Sequence, residues 1–184
     1  MSRLILSVLG HDRPGIIAAV SGILFETGGN IEAVSQTILQ TQFSGTFIVS
    51  VPDSMTVEML SEKLEAGLHL LGLDVLIRRI ETKEPLSSLL DAEPFVITTQ
   101  GPDQKGLVAR ITAIIARHGV NVTNLQAIFK GGEDPENNIM IYEVDIPRSI
   151  DRQALCNDLR QKAEELSLTL NIQHRQIFEE MNRI

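Results

Sequence analysis

The residues whose types could do chemistry are written twice. Gly10, His11, Asp12, Arg13, Pro14 and Gly15 recur further along the chain as Gly101, Pro102, Asp103, Gln104, Lys105 and Gly106. In both places an apolar run leads in and a helical pattern leads out. The loop therefore delivers backbone N–H groups at a helix start, where partial positive charge favours an anion such as a carboxylate. Asp12 and Asp103 add an acceptor at the same corner, and Asn30 and Asn121, which open the next strand, each add a donor and an acceptor. A zwitterion needs this mixture: donors for its carboxylate, acceptors for its ammonium. A small amino acid is the ligand these groups suit, with Asp12 and Asn30 as its expected anchors. Taken singly, the same residues have structural readings. Asp in such a loop is a common helix N-cap, Gly15 and Gly106 could serve close packing, and Asn after Gly is a frequent turn residue.

Little else in the chain points to chemistry. His11, His69, His118 and His174 are far apart without i, i+4 pairing, which supports no local metal site. Cys156 has no catalytic motif nearby and reads as a packed or inert thiol. No nucleophile elbow or other catalytic constellation is present. Residues 130–138 read as a hairpin tip. The expectation is a protein without catalytic residues, metal or cofactor.

Composition narrows the partners. The 24 acidic against 16 basic side chains give a formal charge of -8, the opposite of what phosphate-backbone binding requires, so direct nucleic-acid binding is not expected. A single cysteine permits no internal disulfide and suits a reducing cytoplasm. The apolar start, Met1 to Gly10, is too short for a signal peptide, and no run approaches the roughly 20 apolar residues of a membrane span. A cytoplasmic protein without a membrane partner is the expectation.

The elements that must position these loops repeat as well. Between Leu4–Ile31 and Phe95–Val122, seven of 28 positions are identical, where chance gives roughly two. Leu4 to Leu9 reads as a buried strand stopped by Gly10. Ile16, Ile17, Val20, Ile23 and Leu24 follow at helical spacing and end at Gly28-Gly29. Ile31–Leu39 and Thr46–Val51 read as a hairpin turning near Gly45. Val57, Leu60, Leu64, Leu68 and Leu71 mark a second helix, and Leu73, Val75 and Ile77 a last strand. The second copy repeats this order. The predicted fold is α+β, two tandem ferredoxin-like βαββαβ domains with antiparallel sheets and helices on one face. Residues 1–81 form the first, 82–93 a linker bounded by Pro85 and Pro94, and 94–184 the second.

Gly10-His-Asp-Arg-Pro-Gly-Ile-Ile, a helix, and then Gly29-Asn30-Ile31 resemble the signature of the ACT domain, a small-molecule regulatory module of amino-acid metabolism. Two such domains without a catalytic one resemble the stand-alone tandem ACT proteins of the glycine cleavage system transcriptional repressor family. The resemblance covers nearly the whole chain. It implies amino-acid binding where two domains pair, through Gly10, His11, Asp12, Arg13, Pro14, Gly15 and Asn30, and through Gly101, Asp103, Gly106 and Asn121. It also implies a homo-oligomer, a protein partner that is a regulator or an enzyme, and a role in transcriptional control. The second copy departs from the pattern, with Gln104-Lys105 in place of Arg-Pro. Two alternatives stay open: a ferredoxin-like enzyme of acylphosphatase type, and a purely structural interaction module. An RNA-binding module would need exposed aromatics and a basic surface, against 4% aromatic residues and the negative charge.

Overall fold

Leu4, Leu6 and Val8 alternate with Ile5, Ser7 and Leu9 along β1 (Ser2–His11), and the first set is buried while Ser7 and Leu9 are exposed. That alternation gives the strand one core face. The computed structural model describes residues 1–80, 91–128 and 137–181, and the chain divides into two compact units, Met1–Lys83 and Glu84–Ile184. The expected linker lies outside the described residues up to residue 90, and the expected hairpin tip lies outside them up to residue 136.

In the first unit, α1 (Ile16–Glu26) buries Ile16, Val20 and Leu24, one residue per turn on one stripe. It ends as the glycine pair predicts. Gly28, at φ 74°, turns the chain so that the Gly29 N–H donates to the Leu24 carbonyl at 2.8 Å. Strands β2 (Asn30–Leu39) and β3 (Gln42–Val51) follow as an antiparallel hairpin. Its turn is Gln40-Thr41, with Gln40 at φ 57°, and Gly45 is inside β3 rather than at the turn as expected. The reason is packing: a Cβ on Gly45 would stand 2.7 Å from Phe43 Cζ and 3.1 Å from Phe47 Cε2. The two rings fill the space that a side chain would need.

Helix α2 (Val57–Leu68) starts at Thr56, whose hydroxyl accepts from the Met59 N–H at 3.2 Å, and buries Leu60, Leu64 and Leu68. A 3-10 turn (His69–Leu71) and Gly72, at φ 63°, lead into β4 (Leu73–Arg79). The strand order is β2-β3-β1-β4, all antiparallel, with both helices over the face that carries Leu4, Leu6, Val8, Phe47 and Val49.

The second unit repeats the order as β5 (Ala92–Gly101), α3 (Leu107–Arg117), β6 (Asn121–Ile128), β7 (Asn138–Pro147), α4 (Arg152–Glu165) and β8 (Thr169–His174). Its sheet runs β6-β7-β5-β8. Asp151 caps α4 by accepting from the Ala154 N–H at 3.0 Å. Pro94, read as a strand boundary, is inside β5, opposite Asp145 of β7. It is tolerated because β8 pairs with β5 only from Phe95 onward.

The core of this unit is more polar. Thr99, Met140 and Tyr142 stand where the first copy has Val8, Gly45 and Phe47, and all three are fully buried. The Tyr142 hydroxyl lies 3.3 Å from Met140 Sδ, and burial pushes its pKa up to about 12, against a smaller opposite pull from Thr99. A short helix α5 (Arg175–Met181) was not expected from the sequence. Arg175 at its start pairs with Glu143 and Asp145 on β7, at 3.4 and 3.6 Å. Val96, in register between Glu143 and Gln173, is buried on that side of the sheet.

Candidate functional site

Gly10 is the last residue of β1 flanked on both sides, by Phe43 on β3 and Leu73 on β4. A Cβ there would stand 2.7 Å from Leu73 Cδ2 and 2.9 Å from the Gly72 carbonyl oxygen. Only glycine lets the loop pass this close to the α2–β4 turn. His11 follows, and the Asp12 N–H donates to the Thr41 carbonyl at 2.8 Å, tying the loop to the tip of the hairpin. Gly15 then takes φ 95° and serves as the N-cap of α1, with no side-chain cap.

Two structural readings of these residues are thereby corrected. Asp12 does not cap the helix, and Gly15 does not serve close packing, since nothing lies within 4 Å of where its Cβ would be. Gly15 supplies a backbone conformation, and close packing belongs to Gly10.

The result is an open corner. Asp12, Arg13, Gly15, Ile16, Ile17, Ala18, Gln36 and Phe43 line a pocket of about 210 Å³. The first intrahelical bond runs from the Ala19 N–H to the Gly15 carbonyl at 2.9 Å, so the N–H groups of Ile16, Ile17 and Ala18 have no partner within the helix. Asp12 and Arg13 are exposed at the rim, and their side chains form no hydrogen bond or ion pair among the described residues. A carboxylate acceptor, a guanidinium and a helix start thus face one small space. Gln36 and Phe43 were not singled out from the sequence. A signal existed for Gln36, a polar residue on the core-facing side of β2 between Val34 and Ile38.

Asn30 is not at this corner. It pairs with Ser50, while His11 pairs with Gln42, eight residues away along β3. At 3.3 Å per residue the separation is about 26 Å. One amino acid carries its ammonium and carboxylate on a single carbon, so Asp12 and Asn30 of one unit cannot both hold it. Asn30 instead lines a second depression, of about 500 Å³, with Ser21, Gly22, Phe25, Gly29 and Ile31 at the far end of α1.

In the second unit Gly101 repeats the close approach, its would-be Cβ 2.8 Å from both Leu168 Cδ2 and the Ser167 carbonyl oxygen. Gly106, at φ 83°, again caps its helix without a side chain, so Asp103 is not a cap either. The Gln104 amide donates to the Leu166 carbonyl at 2.8 Å, and Asn121 opens β6 opposite Asp145. Elsewhere in this unit Ile114, Arg117, Asp158, Gln161, Lys162 and Glu165 line a cleft of about 170 Å³ between α3 and α4. Its charges neutralise one another. Asp158 accepts from His118 at 2.8 Å and Arg117 at 2.7 Å, and the His118 bond followed by Arg117 holds its carboxyl below the usual value.

Among the described residues no group of three or more His, Cys, Asp or Glu side chains is placed to hold a metal ion, and no helix is long and apolar enough to cross a membrane.

Comparison with known proteins bears on the fold that carries these loops. The ACT domain model matches residues 2–77 and again 93–173. A UPF0237 protein of Methanopyrus kandleri is 38% identical over 79 residues, 42% of this chain and 88% of its own length. One of Streptococcus pneumoniae is 38% identical over 64 residues, 35% of this chain and 73% of its own. Among solved structures, a protein of unknown role from Galdieria sulphuraria superimposes with a TM-score of 0.76 at 23% identity, covering 94% of this chain and 98% of its own. A candidate glycine cleavage system transcriptional repressor does so with a TM-score of 0.64 at 18% identity over the same shares. With both copies matched by the family model and both folded as βαββαβ units, the chain belongs to the ACT domain family as a tandem ACT protein.

Proposed function

We propose that this protein is a non-catalytic sensor of a small amino acid, acting in the cytoplasm through a protein partner in the control of amino-acid metabolism. The observation that carries the reading is the open corner of the first unit, where Asp12 and Arg13, without side-chain partners among the described residues, flank helix-start N–H groups above a pocket of about 210 Å³. The ligand carboxylate meets the N–H groups of Ile16 to Ala18 with Arg13 beside them, and Asp12 takes the ammonium. His11 and Pro14 shape the loop. The likeness to a candidate repressor of the glycine cleavage system supports the same direction for the process served.

Because Asn30 is about 26 Å from Asp12 along the sheet, it contributes only if a second chain brings its own Asn30 to this corner. Self-association supplies that. Phe25 is 81% exposed and Val34 and Ile38 are 53% and 51% exposed, so α1 and β2 present an apolar face that a second chain would cover. Two measurements test the reading together. A thermal-shift screen of the twenty amino acids should show one or a few small ones stabilising the protein, by about 2.7 kcal/mol at a hundred times the dissociation constant. Light scattering should give a multiple of the 20.3 kDa chain mass. No stabilisation by any amino acid would overturn the sensor, and a monomer at all concentrations would overturn the shared site.

A further inference from the structure

The two repeats carry the same loop but do not hold it in the same state. In the first unit the corner beyond the loop is open: nothing lies within 4 Å of the position a Cβ on Gly15 would take, and Arg13 is exposed without a partner among the described residues. In the second unit the residue at Arg13's place is Gln104, half-buried, and its amide is fastened to the Leu166 carbonyl at the end of α4, 2.8 Å away. That carbonyl is one of the unsatisfied groups of a helix C-terminus, so the bond satisfies both partners.

A second difference, independent of the first, lies at the corner itself. Arg110 stands where the first copy has Ala19, and its Nε is 3.8 Å from where a Cβ on Gly106 would be. The pocket walls differ as well: Ala127 replaces Gln36 and buried Asn138 replaces Phe43.

We infer that the repeats have divided their labour: the first unit's loop is the sensing loop, and the second unit's loop is latched shut by Gln104, so that each chain binds one amino acid rather than two. This rests on the sensor reading above for the ligand, but the latch itself does not. Gln104 is a positioning residue that fixes the loop against α4 and takes the place of the ligand-facing cation.

Two readouts separate the claims. Calorimetric titration with glycine, L-alanine and L-serine in turn should give one equivalent per chain for whichever binds, and a stoichiometry of two overturns the inference. Hydrogen exchange of the unliganded protein tests the latch without any ligand. Gln104→Ala should speed exchange of residues 101–106 several-fold and leave 10–15 unchanged, and Arg13→Ala should leave both segments at the wild-type rate. An unaltered rate at 101–106 in Gln104→Ala overturns the latch, provided that far-UV circular dichroism matches the wild type; Gln104→Glu, which removes the donor with little change of size, must give the same increase. If none of the three amino acids binds, the sensor reading loses its support while the exchange data still decide the latch.

Discussion

Replacing Gly10 by alanine tests how the loop is held. The added Cβ would stand 2.7 Å from Leu73 Cδ2 and 2.9 Å from the Gly72 carbonyl oxygen, against ordinary contact distances of about 3.5 to 4.0 Å. The leucine tip can rotate away. The carbonyl cannot, because Gly72 is fixed at φ 63° and its N–H donates to the His69 carbonyl at 3.0 Å. Overpacking of this kind costs about 1 to 3 kcal/mol, and a rigid backbone neighbour puts the expected cost at about 2 to 3 kcal/mol. For a unit of this size that lowers the melting temperature by roughly 10 to 20 °C. Gly22→Ala is the matched control. Gly22 is inside α1 with nothing within 4 Å of its would-be Cβ, so alanine should stabilise by about 0.5 to 1 kcal/mol. Thermal and urea unfolding followed by far-UV circular dichroism reads both. If Gly10→Ala unfolds within about 0.5 kcal/mol of the wild type, the close approach of the loop to the α2–β4 turn is not what fixes the loop.

Two further outcomes follow from the second unit. Tyr142→Phe should change stability by less than about 1 kcal/mol, because among the described residues the buried hydroxyl meets only a thioether and Thr99 and the first copy already has Phe47 at that place; equilibrium unfolding checks it. Asp158→Asn should destabilise at neutral pH by an amount that shrinks as the pH falls. The folded carboxyl titrates below the unfolded value of about 3.9, so the stabilisation is present above pH 4 and lost as the pH drops through the lowered folded value. Melting temperatures of the two proteins between pH 7 and pH 2.5 should therefore converge at the acid end.

The parts of the fold that were legible in the sequence are those where one physical signal acts alone. Ile16, Val20 and Leu24 recur once per turn and are buried as that spacing requires, and Gly28-Gly29 ends α1 because the backbone there needs a positive φ. Errors arose where a residue type has two uses. Gly45 read as a turn residue but serves the ring packing of Phe43 and Phe47, information that depends on cross-strand neighbours. Pro94 read as a boundary but is accommodated because β8 ends opposite Phe95. Helix α5 follows β8 without an intervening breaker, so nothing local separates them.

The loop was legible as a unit, because its recurrence singled out the residues that turn the chain. Which glycine packs and which supplies a backbone conformation needed coordinates. So did the separation of Asp12 from Asn30, since register along β3 sets it and sequence distance does not.

The central claim is that an amino acid sits on the first loop between Asp12 and the start of α1. The most direct measurement is a two-dimensional 15N–1H NMR titration of the protein with the amino acid that stabilises it most, repeated on Asp12→Ala. The expected result is that the amide signals of Asp12, Gly15, Ile16, Ile17 and Ala18 move most, and that the affinity falls by about 1 to 3 kcal/mol in the variant, the cost of leaving the ammonium unpaired. Shifts confined to residues away from this loop, with an affinity unchanged in Asp12→Ala, would contradict it.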